Sequence, residues 1–154
     1  MSEITLDEQV LSAWIRLNSV LKDSRMTKDL TYNEAIVMNL VYRRYVQDPY
    51  ALVSVKAITH ETNMLKSQVN RTITALCDQG FLTKQRDSED GRNLFVAPVP
   101  EKLPEFLAVH AHSLAMVQAV IEAIGEEDAR TFVSISERVV QAEPQIKAGD
   151  ENRV

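Results

Sequence analysis

The chain has 154 residues, 45% hydrophobic and 25% charged, with a formal net charge of −5 at pH 7. That length suits one domain with a sizeable core, and the composition excludes a disordered or fibrous chain. A single cysteine excludes an internal disulfide and suits a reducing cytoplasm, no apolar run is expected to reach membrane-spanning length, and the acidic, polar N-terminus is unlike a signal peptide.

Residues 6–22 carry Val10, Trp14, Leu17 and Leu21 at helical spacing, which predicts an amphipathic helix. Residues 22–30 are polar, without an apolar stripe, and read as a loop. Thr31-Tyr-Asn-Glu34 is a capping box: the Thr31 hydroxyl accepts from the third helical amide, and Glu34 reaches back. A second helix is predicted over 32–46, ended by Pro49, which disfavours a helical Asp48. Residues 51–53 have room only for a short strand, the third of a small sheet. Ser54 is an N-cap for a short helix over 55–62, with Val55 and Ile58 at apolar spacing. Asn63, which tolerates the left-handed region, supplies the turn.

The next stretch, 65–99, organises the rest. Val69, Ile73, Leu76 and Cys77 make one apolar stripe of a helix, and Ser67, Gln68, Asn70, Arg71 and Thr74 fall off it. Gly80 is the stop. Residues 81–86 and 93–99 read as strands, joined by the polar loop Asp87-Ser-Glu-Asp-Gly-Arg92 into a hairpin. Pro100 can open the following helix. Leu103, Leu107, His110, Leu114, Val117, Ile121 and Ile124 then recur at alternating +4 and +3, a heptad seam. Gly125 ends it, Glu126-Glu-Asp128 suits a helix N-terminus, and Ala129, Phe132, Val133, Ser136, Val139 and Val140 mark a last amphipathic helix ending before Pro144. Residues 145–154 are polar and read as a disordered tail.

A polar-faced helix followed at once by a charged-tipped hairpin is a helix-turn-helix with a wing. Helix, Gly80-Phe-Leu, then Arg86-Asp-Ser-Glu-Asp-Gly-Arg92 and a β-branched strand resemble the winged-helix core of the MarR (multiple-antibiotic-resistance regulator) family. The resemblance covers residues 30–99 and includes the Asp-x-Arg wing signature, Asp90-Gly91-Arg92. It implies a mainly α fold with a small antiparallel wing sheet: a winged helix-turn-helix over about 30–99, and a helical dimerisation region from 1–24 and 100–142. It also implies a cytoplasmic, homodimeric transcription regulator, often a ligand-responsive repressor, that binds pseudo-palindromic double-stranded DNA.

Charge placement bears on that reading. From Leu65 to Phe95 there are five basic and four acidic residues, a net of +1, which leaves −6 on the remainder. Non-specific DNA affinity, which scales with phosphates neutralised, should be weak. A winged-helix protein-interaction module without DNA binding is therefore the rival reading.

The candidate DNA contacts are Lys66, Ser67, Gln68, Asn70, Arg71 and Thr74 on the helix and Arg86 and Arg92 on the wing. Asn and Gln can pair with adenine, and Arg with guanine or phosphate. Arg92 is the residue for the minor groove, as the matching family position is. Asp90 reads as structural, paired with Arg86 or Arg92, and Gly91 as the residue that lets the loop turn sharply. Lys84 reads as a phosphate contact or a sheet-surface charge. Solvated helix and flexible loop are the bland alternatives.

The family often binds aromatic ligands, and Trp14, Tyr42 and Tyr45 are the candidates for such an effector pocket, against a reading as core aromatics. Cys77 reads as a small buried hydrophobe rather than a redox sensor, because neighbouring Asp78 disfavours its thiolate. His110 and His112 lie two apart, about 200° around a helix, and cannot share a metal ion. No cofactor, metal or catalytic constellation is expected: four glycines leave no phosphate-cradling loop, and no nucleophile setting is recognisable.

Overall fold

A computed structural model of the chain describes residues 4–22 and 29–144. The expected loop after Lys22 falls largely, and the expected tail from Gln145 entirely, outside the described residues. Six helices and three strands follow in the order α1 (Leu6–Leu21), α2 (Tyr32–Gln47), β1 (Val53–Ser54), α3 (Val55–Thr62), α4 (Lys66–Asp78), β2 (Leu82–Arg86), β3 (Leu94–Pro98), α5 (Leu103–Ile124) and α6 (Glu126–Gln141). A single 3-10 turn, Pro100–Lys102, leads into α5. The chain separates into two compact units, divided within α5 between Ser113 and Leu114.

Local chemistry sets the ends of these elements. Both halves of the Thr31/Glu34 capping box form: the Glu34 amide donates to Thr31 Oγ1 and the Thr31 amide to Glu34 Oε2, each at 3.2 Å. Ser54 Oγ accepts from the Ala57 amide at 3.0 Å and starts α3. Asn63 ends α3 at φ 53°, and Gly80 follows α4 at φ 82°, both in the left-handed region. The strand expected over 51–53 lies instead at Val53–Ser54. Its place is fixed by pairing with β3, Val53 opposite Val96 and Ser54 opposite Phe95, which local sequence does not reveal. The sheet order is β1-β3-β2, antiparallel throughout.

In the first unit one core joins α2, α3, α4 and the sheet. Val37, Met38 and Val41 of α2 pack with Ile58 of α3, Val69, Ile73 and Leu76 of α4, Phe81, and Val96 of β3, all buried. Phe106 and Val109 close this core from the first part of α5. Each fully buried side chain of this kind is worth about 1.5–3 kcal/mol relative to exposure. The expected seam residues Leu107, Leu114, Val117 and Ile124 stand exposed, and the two residues that α5 buries within this chain, Phe106 and Val109, lie off the seam.

α1 and α6 bury no residue at all. Val10, Leu11, Trp14 and Ile15 on α1, and Phe132, Val133, Ile135 and Val140 on α6, are each at least half exposed.

One expectation is corrected. The segment Pro100–Ile124 is long and apolar enough, by length and composition, to cross a membrane. No unbroken apolar run signals it, because Glu105, His110, His112, Gln118 and Glu122 interrupt the segment, yet its average is dominated by Leu, Val, Ile and Ala.

Candidate nucleic-acid interface

α4 is positioned by its buried stripe: Val69, Ile73 and Leu76 are at most 1% exposed, which turns the opposite face outward. Lys66, Ser67, Gln68, Asn70, Arg71 and Thr74 are all exposed there. Thr72, on the flank, is buried and donates its hydroxyl to the Gln68 carbonyl at 2.8 Å.

Two of the exposed groups are already engaged. Gln68 Oε1 accepts from the Leu65 amide at 3.0 Å. Leu65 offers no side-chain acceptor, so this is the return half of a capping box, and Gln68 is turned toward the start of its own helix. Adenine pairing needs both the oxygen and the NH2 of Gln68, so this bond competes with it. Thr74 Oγ1 accepts from Lys84 Nζ at 3.0 Å, which ties α4 to β2. Ser67, Asn70 and Arg71 have no such bond among the described residues.

The wing braces itself. Arg86 donates through Nη1 to the Gly91 carbonyl at 2.9 Å. Asp90 Oδ1 accepts from the Arg92 amide at 3.0 Å, and the Asp90 carbonyl from the Asn93 amide at 3.0 Å. Asp87 closes the loop, its amide donating to the Asn93 carbonyl at 2.9 Å and its Oδ1 accepting from Glu89 at 3.0 Å. Asp90 thus acts on the backbone of Arg92 rather than in an ion pair with a guanidinium. The Arg92 guanidinium, exposed at the tip, has no partner among the described residues.

The role of Gly91 is corrected. Its φ is not positive, and a Cβ there would meet nothing within 4 Å. The turn does not require glycine; what Gly91 contributes is the carbonyl that Arg86 holds, which any residue would supply.

Burial raises the Cys77 thiol pKa; the nearby Lys84 ammonium lowers it and Asp78 raises it further. Burial therefore outweighs the aspartate that the sequence suggested as the cause. Tyr42 packs on Phe106 with centroids 5.3 Å apart, and His110 stacks on Phe106 at 5.8 Å. Tyr42 is thus a core-side aromatic, joined by a histidine placed on the seam by its spacing. Trp14 is 52% exposed on α1, Tyr45 is half-buried, and no ring contact joins either to Tyr42 among the described residues. The three aromatics do not form one cluster.

The described chain has the fold of known regulators. It superposes on the PcaV transcriptional regulator from Streptomyces coelicolor, solved with its natural ligand, at TM-score 0.71 and 18% identity, over 93% of this chain and 99% of that one. A MarR-family transcriptional regulator from Rhodococcus sp. RHA1 matches at TM-score 0.71 and 16% identity, over 92% and 95%. BpsR from Bordetella bronchiseptica, solved for the mechanism by which 6-hydroxynicotinic acid regulates its DNA binding, matches at TM-score 0.69 and 14% identity, over 88% and 99%. No curated protein matches by sequence. The model of the SarA/Rot transcriptional regulators matches residues 19–102, more than half of the sequence and all of the helix-turn-helix and wing. The MarR resemblance is borne out, the interaction module without DNA binding is not favoured, and the chain belongs to the SarA/Rot family of DNA-binding transcriptional regulators with a MarR-type winged-helix fold.

Proposed function

We propose that this regulator binds pseudo-palindromic double-stranded DNA as a cytoplasmic homodimer, with α4 in the major groove and the wing in the minor groove. One observation carries the reading. The Arg92 guanidinium, without a partner among the described residues, stands at the tip of a wing whose Arg86, Asp87 and Asp90 side chains hold its own backbone, beside the exposed polar face of α4. A braced loop delivers that charge at little entropic cost, and narrow A·T-rich minor grooves attract it. Ser67, Asn70 and Arg71 are the groups of this face left without a side-chain hydrogen bond among the described residues, available to base edges or phosphate.

The exposed apolar residues of α1, α5 and α6 support the homodimer. Leu107, Leu114, Val117 and Ile124 repeat on one seam of α5, and a second copy of the same surface covers such a face by two-fold symmetry. It also accounts for the apolar character of Pro100–Ile124 without a membrane.

The natural ligand of PcaV supports a small-molecule effector, and the 6-hydroxynicotinic acid of BpsR supports an aromatic one that relieves repression, although Trp14, Tyr42 and Tyr45 do not mark its pocket as a group. No catalysis is proposed.

Selection of bound sequences from a random DNA pool tests the reading, run at low salt with and without small aromatic acids. Enrichment of a pseudo-palindrome, lost as salt rises or as an effector is added, is expected. Failure to enrich any sequence, with no salt-sensitive retention on DNA, would remove it.

A further inference from the structure

The polar face of α4 is two surfaces rather than one. Ser67, Asn70 and Thr74 follow at +3 and +4, and Thr74 is tied to Lys84 of the sheet. Gln68, Arg71 and Ala75 follow at the same spacing one residue later, so their stripe lies about 100° around the helix. That second stripe is one wall of an open groove of about 550 Å³ whose other wall is the start of α2, with Lys22 also lining it.

The chemistry of this groove is one-sided. Lys22 and Arg71 bring two positive charges against one negative charge, Glu34. The Glu34 carboxylate already accepts from the Thr31 amide, and the Thr31 hydroxyl already accepts from the Glu34 amide. Gln68 has its oxygen committed to Leu65, which leaves its NH2 group as a donor. Asn33 and Tyr32 add an amide and a phenol. The groove is thus rich in donors, while several of its acceptors are occupied. A guanine edge also presents acceptors, but a phosphodiester presents acceptors only and carries a negative charge, which answers both the donors and the two cations of this groove.

We propose that this groove seats one strand of the DNA sugar–phosphate backbone. Arg71 is then a phosphate contact and not a base reader, and base reading belongs to the Ser67–Asn70 stripe. The groove is continuous with the interface proposed above and rests on that reading. Arg71 fixes the register of the helix on the duplex, and changing it leaves sequence preference intact.

The test uses the full chain and the variants Arg71→Gln, Asn33→Glu and Asn70→Ala. Each is titrated against the selected operator, operators with single base-pair changes, and a scrambled duplex, over a series of salt concentrations. Arg71→Gln should weaken binding to every duplex by the same factor, on the order of tenfold, and lower the salt slope by about one. Asn33→Glu should weaken every duplex alike by putting negative charge into the groove. Glutamate in the first turn favours the helix, so its circular dichroism should not change. Asn70→Ala should relax preference at one position and leave the slope unchanged. Two results would overturn the assignment: relaxed preference at one base pair with an unchanged slope in Arg71→Gln, or wild-type binding by Asn33→Glu. If the unaltered protein does not distinguish operator from scrambled duplex, the DNA-binding reading itself fails and the groove assignment falls with it.

Discussion

Residues 30–109 and the terminal helices obey different rules. Among the described residues, the first region contains every buried apolar side chain, from Leu30 to Val109, and its elements are held by a shared interior. α1 and α6 contribute none, yet they carry large apolar residues at spacings as regular as those of α2 and α4. Amphipathic spacing therefore identifies a helix that must be covered but does not say by what. For α4 the cover is the same chain; for α1, α6 and the seam of α5, a second copy is the proposed cover.

That contrast can be broken first in the core. Phe106→Ala should cost about 3–5 kcal/mol, because little can collapse into the space beside Tyr42 and His110. Its chemical denaturation midpoint should fall at every protein concentration. Leu114→Asp and Val117→Asp, a few residues further along α5, should instead act through assembly. Sedimentation should show monomers or aggregates, and DNA binding should be poor. A native protein that sediments as a stable monomer at micromolar concentration would leave the terminal helices without the proposed cover.

Smaller effects sharpen the contrast within the DNA-binding surface. Arg92→Ala should lose about 1–3 kcal/mol of binding, most on operators with A·T-rich flanks and least on G·C-rich ones. Asp90→Ala should weaken binding by about 0.5–1.5 kcal/mol, because the Arg92 amide loses its acceptor. A model built on net charge predicts tighter binding by Asp90→Ala, so titration against one site with exchanged flanks separates the two. Cys77→Ser should be the mildest, with a modest stability loss and an unchanged response to peroxide. The raised thiol pKa means that the folded state prefers the protonated form. That contribution is intact below the ordinary thiol range and declines as pH rises through it. The extra loss of wild-type stability at alkaline pH should be missing in Cys77→Ser.

Residues 30–99 were legible where local chemistry decides. The Thr31/Glu34 box, the Ser54 cap, the Asn63 turn and the Gly80 stop depend on neighbours within four residues, and all are found. The solvent-facing side of α4 followed from the same periodicity. Partnership across the fold was not legible. Nothing near Thr74 announces Lys84, ten residues on, and nothing in the Asp90-Gly91-Arg92 triplet shows that Arg86 holds the Gly91 carbonyl. The two stripes of α4 diverge only once the start of α2 stands beside one of them. Glycine at 91 misled because its usual use, positive φ, is not its use here.

Ser54 is at once the last residue of β1, opposite Phe95, and the residue whose hydroxyl starts α3. The two duties couple strand register to helix placement. A one-residue slip of β1 along β3 would reverse which side of the sheet Val53 faces, exposing an apolar side chain. Because the Ser54 cap is local and moves with the chain, the same slip would carry the start of α3, with buried Val55 and Ile58, along the sheet and out of the core. Strand register and the seating of α3 are thus set together.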